Sequence, residues 1–147
     1  MFKHILVPTD GSELSRRAAA AAIEEARATG ARLTALHAMP PATPLVFGDL
    51  LPTAYMPPDE HERLANKAAD IYLGDIKVLA EAAGVECHTV KRISDFPAEA
   101  IVETAKKHHC DLIWMASHGR RGIAAVLLGS ETQKVLAHGG VPVLVFR

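Results

Sequence analysis

The residues best suited to bind a ligand lie in one glycine-rich stretch, 115–130, which follows an apolar run and precedes a helix-forming segment. Glycine has no Cβ, so backbone N–H groups at Gly119 and Gly129 can turn toward a ligand. Gly129 and Ser130 start the predicted helix, where free N–H groups and the helix dipole favour an anion. Arg120 and Arg121 add positive charge, and one of them is expected to screen the phosphates. The stretch is typical either of a phosphate cradle or of an ordinary mobile loop with an N-cap serine.

A second candidate binding segment, Pro8-Thr9-Asp10, lies at the end of the first apolar run of the chain. A carboxylate at the end of a strand can accept hydrogen bonds from a ribose or a base. It can also help to hold a magnesium ion near phosphates, with water molecules completing the shell. Asp10 can equally cap the helix that follows. Both roles stay open for Asp10, and no metal site is predicted from the protein alone.

Strand-like and helix-like segments alternate along the chain. The predicted strands are 4–8, 32–38, 85–93, 111–115 and 141–146, and the predicted helices are 13–29, 60–83, 94–109 and 130–138. This alternation is typical of parallel strands with helices on both faces. Because crossovers are right-handed, we expect one α/β domain over 1–147, with a doubly wound five-stranded parallel sheet in the order 3-2-1-4-5.

The predicted strand order determines where a ligand would bind. The order reverses between the first and fourth strands, and ligands of such sheets bind at the carboxyl ends of the strands that flank the reversal. Those ends carry 8–11 and 116–119, the two segments with the most suggestive chemistry. Their expected proximity favours the phosphate cradle over the ordinary loop.

Local signals predict the ends and faces of the helices. Ser12 or Asp10 is expected to cap the first helix, and Asp95, followed by Pro97, the third. In the long second helix, apolar residues at three- and four-residue steps predict the buried face: Leu64, Ala68, Ile71, Tyr72, Ile76, Leu79 and Ala83.

The stretch 39–59 interrupts the alternation. Its six prolines exclude a regular helix or a central strand. Loops of this length are often lids or binding loops. The stretch also carries the apolar or aromatic residues Leu45, Val46, Phe47, Leu50, Leu51, Tyr55 and Met56. We expect either an apolar flap over a site or partner surface, or a variable surface insertion.

Composition narrows the classes of partner. Sixteen Lys and Arg balance 17 Asp and Glu, which gives no electrostatic case for binding nucleic acid or an anionic membrane. No apolar run approaches the length of a membrane-spanning helix, and no signal peptide is evident, so a cytoplasmic location is expected. Cys87 and Cys110 each lie beside histidine, but adjacent residues on a helix do not share a face. Reduced cysteines are favoured over a metal site.

The segments 5–13, 97–101, 111–119 and 129–147 resemble the universal stress protein family. Nucleotide-binding members carry G-x2-G-x9-G-[S/T]; this chain has Ala116-Ser-His-Gly119, nine further residues, and Gly129-Ser130, so alanine replaces the first glycine. The resemblance implies binding of ATP, or of ADP or AMP, with magnesium. The residues implied, with their loop neighbours, are Pro8, Thr9, Asp10, Ala38, Met115, Ala116, His118, Gly119, Gly129, Ser130, Glu131 and Thr132.

Enzyme motifs are mostly absent: there is no Walker loop and no G-x-S-x-G elbow. Ser117 and His118 are not expected to act as nucleophile and base, because sequence neighbours need not face each other. We expect a nucleotide-dependent sensor or switch that contacts a protein partner, and at most a slow ATPase.

A nucleotide-free dimeric interaction protein is the alternative function. A flavin carrier is a weaker third possibility, because aromatic residues are missing from the loops after strands one and four. The apolar edge strand 141–146 predicts a homodimer.

Overall fold

The fold alternates strands and helices as the sequence predicts. A computed structural model describes residues 1–41, 57–120 and 127–147. These form β1 (His4–Pro8), α1 (Glu13–Thr29), β2 (Arg32–Met39), α2 (Pro58–Ala82), β3 (Cys87–Ile93), α3 (Pro97–Lys107), β4 (Leu112–Ala116), α4 (Ser130–His138) and β5 (Val143–Phe146). Most of the stretch 39–59, and Arg121, lie outside the described residues.

The five strands form one parallel sheet in the order β3-β2-β1-β4-β5. The predicted fold class and strand order are therefore confirmed. β1 pairs with β2 from His4 opposite Arg32 to Pro8 opposite Leu36, and with β4 through Ile5 opposite Leu112. The order reverses between β1 and β4, and the carboxyl ends of these strands meet at one edge of the sheet.

Alternate residues of the strands face two separate cores. Ile5 and Val7 of β1 pack with α1 and α2 on one face, whereas Leu6 packs with α3 and α4 on the other. All three side chains are fully buried. Burial of a large aliphatic side chain contributes about 1.5–3 kcal/mol, so the central strands hold both helical layers in place.

The helix caps agree with the sequence at α1 and differ at α3. Ser12 caps α1, since its Oγ accepts the Ser15 N–H at 3.2 Å. The prediction that Asp95 caps α3 is wrong: the N-cap residue is Phe96, and no side chain at that position caps the helix. Instead, Glu131 of α4 accepts the Ala98 N–H at 2.9 Å. A contact between residues 33 positions apart replaces the local cap.

The buried face of α2 agrees with the prediction only in part. Its buried residues are Ala69, Leu73, Ile76 and Ala80, of which Ile76 was predicted. The prediction is wrong for Leu64, Ile71 and Leu79, which are exposed by 40%, 53% and 52%. Both sets repeat at helical spacing, so periodicity alone did not select the face that packs on the sheet. The choice places Tyr72 at the border between the core and solvent.

Candidate functional site

The loops that follow β1 and β4 touch each other, as the strand order predicts. The Arg120 N–H donates to Asp10 Oδ2 at 2.8 Å, and Arg120 Nε donates to the Asp10 carbonyl at 3.0 Å. A Cβ on Gly119 would overlap Asp10 Oδ2. Gly119 is therefore glycine because the second loop must approach a side chain of the first.

The Asp10 carboxylate joins the two loops. Its Oδ1 accepts the Ser12 N–H at 2.9 Å, while Oδ2 accepts the Arg120 N–H. Burial by itself would raise the pKa of Asp10, but hydrogen bonds from Ser12 and Arg120 outweigh it and hold the pKa below its usual value. Asp10 is therefore ionised at neutral pH. Each of its oxygens can accept a further bond, so this bridging role leaves capacity for a ligand.

Thr9 and Ser15 shape the first loop from beneath. Thr9 Oγ1 lies 3.1 Å from Ser15 Oγ and accepts the Gly11 N–H at 3.1 Å. The Thr9 N–H donates to the Leu36 carbonyl at 2.8 Å, which attaches the loop to β2. Gly11 has a φ of 75°, a left-handed conformation that glycine adopts without steric cost. The turn is thus built by the sequence Thr9-Asp10-Gly11 itself.

The amino end of α4 is held against the end of β4. The Gly129 N–H donates to the Ser117 carbonyl at 2.7 Å, and Thr132 Oγ1 donates to the Ala116 carbonyl at 3.1 Å. The N-cap residue is Gly129, which has no side chain to accept an N–H group of the first turn. The first N–H groups of a helix have no acceptor within the helix. Residues 130–132 at this end of α4 line the cavity described next, so their N–H groups are available to an anion there.

A cavity of about 690 Å³ lies between these loops. All twelve residues predicted from the sequence to bind a nucleotide, called the nominated residues below, line this cavity. They are Pro8, Thr9, Asp10, Ala38, Met115, Ala116, His118, Gly119, Gly129, Ser130, Glu131 and Thr132. Pockets for small ligands have volumes of roughly 300–1,000 Å³, so the cavity is large enough for a nucleotide. The structure brings the nominated residues together, and their contacts with a ligand stay a prediction.

Eight further residues line the same cavity and were not in the nominated set. They are Ser15, Leu36, Pro40, Ser94, Asp95, Pro97, Ile101 and Arg120. The Ser94 N–H donates to the Met39 carbonyl at 2.8 Å, which brings the end of β3 beside the end of β2. The end of β3 could have been found from the sequence, because all parallel strands deliver their carboxyl ends to one edge. The contribution of Ile101 depends on how α3 crosses the sheet.

Glu131 and Arg120 also make contacts with other parts of the protein. Glu131 uses Oε2 for the Ala98 N–H and Oε1 for Lys134, at 3.1 Å. The guanidinium of Arg120 donates to the Gly11 carbonyl at 3.3 Å and to Tyr72 Oη at 2.8 Å. The phosphate-screening role expected of Arg120 would require its guanidinium to leave these acceptors.

The side chains of Ser117 and His118 contact each other, at 3.1 Å between Oγ and Nδ1. Ser117 is only 2% exposed, so its hydroxyl is not accessible to a ligand.

The two cysteines, Cys87 and Cys110, are also buried. Burial raises the pKa of Cys110 to about 11 and also raises the pKa of Cys87, which disfavours the thiolate form that binds metals. Within the described ranges, no three His, Cys, Asp or Glu side chains converge as metal ligands, and no helix there is long and apolar enough to cross a membrane.

Comparison with known proteins gives consistent results at the levels of family, sequence and structure. The model of the universal stress protein family matches residues 1–147. A universal stress protein of Thermus aquaticus is 37% identical over 150 residues, covering the whole of both chains. A universal stress protein solved in complex with cAMP is 27% identical, with a TM-score of 0.72 and coverage of 99% of this chain and 97% of its own. One from Archaeoglobus fulgidus, solved with dAMP, is 18% identical, with a TM-score of 0.70 and coverage of 99% and 98%, and shares the fold.

Proposed function

This chain belongs to the universal stress protein family, and we propose that it is an adenine-nucleotide-binding sensor or switch. The observation that carries the proposal is that one cavity, between the loops that follow β1 and β4, is lined by all twelve nominated residues, which are those that the family resemblance implies and their loop neighbours. The related protein solved with cAMP supports adenine as the base. ATP, ADP and AMP are the ligands proposed here.

The phosphate groups would lie at the amino end of α4. Gly129 keeps the approach free of a side chain, and the N–H groups from Ser130 onward supply donors. The Ser130 hydroxyl lines the same cavity and adds a further donor. This arrangement binds anionic oxygens through backbone groups and the helix dipole, which matches a phosphate without requiring a lysine.

The base and the ribose would occupy the remainder of the cavity. Leu36, Ile101 and Met115 give it apolar walls suited to a flat aromatic ring. Asp10 retains lone pairs for ribose hydroxyl groups, or for water molecules around a magnesium ion that accompanies the phosphates. Magnesium would neutralise charge on the phosphates. Asp10, which lies in the first loop, is the carboxylate that could orient the water molecules around the ion.

Hydrolysis is expected to be slow or absent. The Ser117 hydroxyl contacts His118 but is buried in the protein interior, so it is not available as a nucleophile. A general base must also reach the attacking water directly or through one water. Asp10 is a poor general base, because its pKa lies below the usual value and it already accepts two backbone N–H groups. Occupancy of the site, rather than turnover, would then carry the signal to a protein partner.

A nucleotide-free dimer is the second candidate, and one observation favours it over nucleotide binding. Ala116 places a methyl group on the cavity wall where nucleotide-binding relatives have glycine, and it is only 9% exposed. β5 forms one edge of the sheet, and all four of its residues are half-buried. We propose a homodimer through this edge in either case, because an apolar edge needs a partner.

Release of bound small molecules tests the proposal without added ligand. The purified protein is denatured, and the supernatant is analysed by chromatography and mass spectrometry. An adenine nucleotide at a substantial fraction of one per chain is expected. A Gly119→Ala preparation serves as the control, because its bound nucleotide should be depleted. An empty supernatant together with no binding of added nucleotide would favour the nucleotide-free dimer.

A further inference from the structure

Tyr72 of α2 lies outside the cavity but packs directly on its first loop. A Cβ on Gly11 would overlap the Tyr72 ring, so the ring lies against the left-handed turn at Gly11. The ring is also held in place: the Arg120 guanidinium lies over it at 5.3 Å, and His37 meets it edge-on at 5.3 Å between centroids. Of the 20 residues that line the cavity, none comes from α2.

Three successive carbonyl groups of the first loop are bound by the side chains around Tyr72. His37 Nδ1 donates to the Thr9 carbonyl at 2.7 Å, and Arg120 donates to the carbonyls of Asp10 and Gly11 at 3.0 and 3.3 Å. The same guanidinium donates to Tyr72 Oη at 2.8 Å. A planar guanidinium can satisfy three acceptors in fixed directions, which a lysine ammonium cannot reproduce.

We propose that Tyr72 and Arg120 are a positioning pair that fixes the Thr9–Gly11 turn and the Gly119–Arg120 turn in their ligand-binding geometry. The Tyr72 ring supports Gly11, and its hydroxyl orients Arg120. Arg120 then presents its backbone N–H to Asp10 and holds the loop carbonyls. The inference rests on the proposed function only for its effect on nucleotide affinity, since the pair orders both turns without a ligand.

Amide hydrogen exchange in the nucleotide-free protein tests the pair directly. The Arg120 and Ser12 amides, which donate to Asp10, should exchange about ten-fold faster in Tyr72→Phe and in Arg120→Lys than in the wild type, as expected for loss of about one hydrogen bond. Amides in the middle of α1 should be unchanged. Arg63→Lys is the matched control: Arg63 lies on α2 with Tyr72, its side chain is exposed, and its one ion pair among the described residues is with Glu60, at 3.7 Å. Unchanged exchange at Arg120 in both variants would overturn the pairing.

A double-mutant cycle on nucleotide affinity separates positioning from a general loss of stability. Tyr72→Phe and Arg120→Lys should each weaken AMP binding by roughly three- to ten-fold, and the double variant should be no weaker than Arg120→Lys alone. Tyr72→Leu, which also removes the ring from Gly11, should be weaker than Tyr72→Phe. Additive losses would show that the residues act independently and would overturn the proposal. If the wild type binds no AMP, the proposed function fails, and the exchange measurement still decides the pairing.

Discussion

Gly119→Ala offers a sharp test of how the two loops are joined. The added methyl group would overlap Asp10 Oδ2, so either the carboxylate or the second loop must move. The backbone at Gly119 is outside the left-handed region, so the cost comes from this contact alone. Loss of the hydrogen bond between the Arg120 N–H and the ionised Asp10 is worth about 1–3 kcal/mol, and we expect destabilisation of that size.

The matched control is Gly74→Ala in α2. A Cβ on Gly74 would meet no atom within 4 Å, and alanine is favoured over glycine in a helix interior by about 1 kcal/mol. Urea denaturation should therefore shift in opposite directions for the two substitutions, with Gly74→Ala more stable than the wild type. Gly119→Ala should also weaken nucleotide binding by at least ten-fold, whereas Gly74→Ala should not. Equal stability of Gly119→Ala and the wild type would refute the bridging role of Asp10.

Three further predictions concern acid stability, assembly and the altered motif. Burial and Arg32 lower the pKa of His4, and hydrogen bonds from His4 and Lys3 outweigh burial to lower that of Asp111. Their contributions to the free energy of unfolding are therefore complete above the pKa values of the unfolded chain, about 6.5 for His4 and about 3.9 for Asp111. Stability should fall as pH drops through the lower folded values, and Asp111→Asn should flatten the more acidic step in urea melts recorded from pH 7 to pH 3. Val145→Lys should weaken the dimer in sedimentation experiments, and a wild-type monomer at micromolar concentration would contradict the β5 interface. Ala116→Gly should tighten AMP binding if its methyl group hinders the ligand, and unchanged affinity would remove that explanation.

The parts of the fold that follow from chain order could be predicted. Apolar runs spaced by helical segments define parallel strands, and the handedness of crossovers limits their order. The meeting of the Asp10 and Gly119 loops follows from that order without any knowledge of side-chain contacts. The Ser12 cap was also predictable, because its partner lies three residues away.

The missed features depend on contacts between distant residues. Glu131 replaces Asp95 at the start of α3 because α4 packs beside that helix, and nothing in the sequence around Asp95 signals this. The apolar stripe of α2 was predicted correctly at Ile76 but not at Leu64, Ile71 or Leu79. Two faces of the helix carry apolar residues, and only packing against β2 and β3 selects between them. Tyr72 supports the first loop for the same reason, since it lies where that packing face meets the turn at Gly11.

Titration calorimetry with millimolar ATP and magnesium, repeated with AMP, tests the central claim most directly. The account predicts a saturable heat with a single site per chain for the wild type, strongly reduced in Gly119→Ala and retained in Gly74→Ala. No heat of binding for either nucleotide, with no nucleotide released when the protein is denatured, would contradict the account.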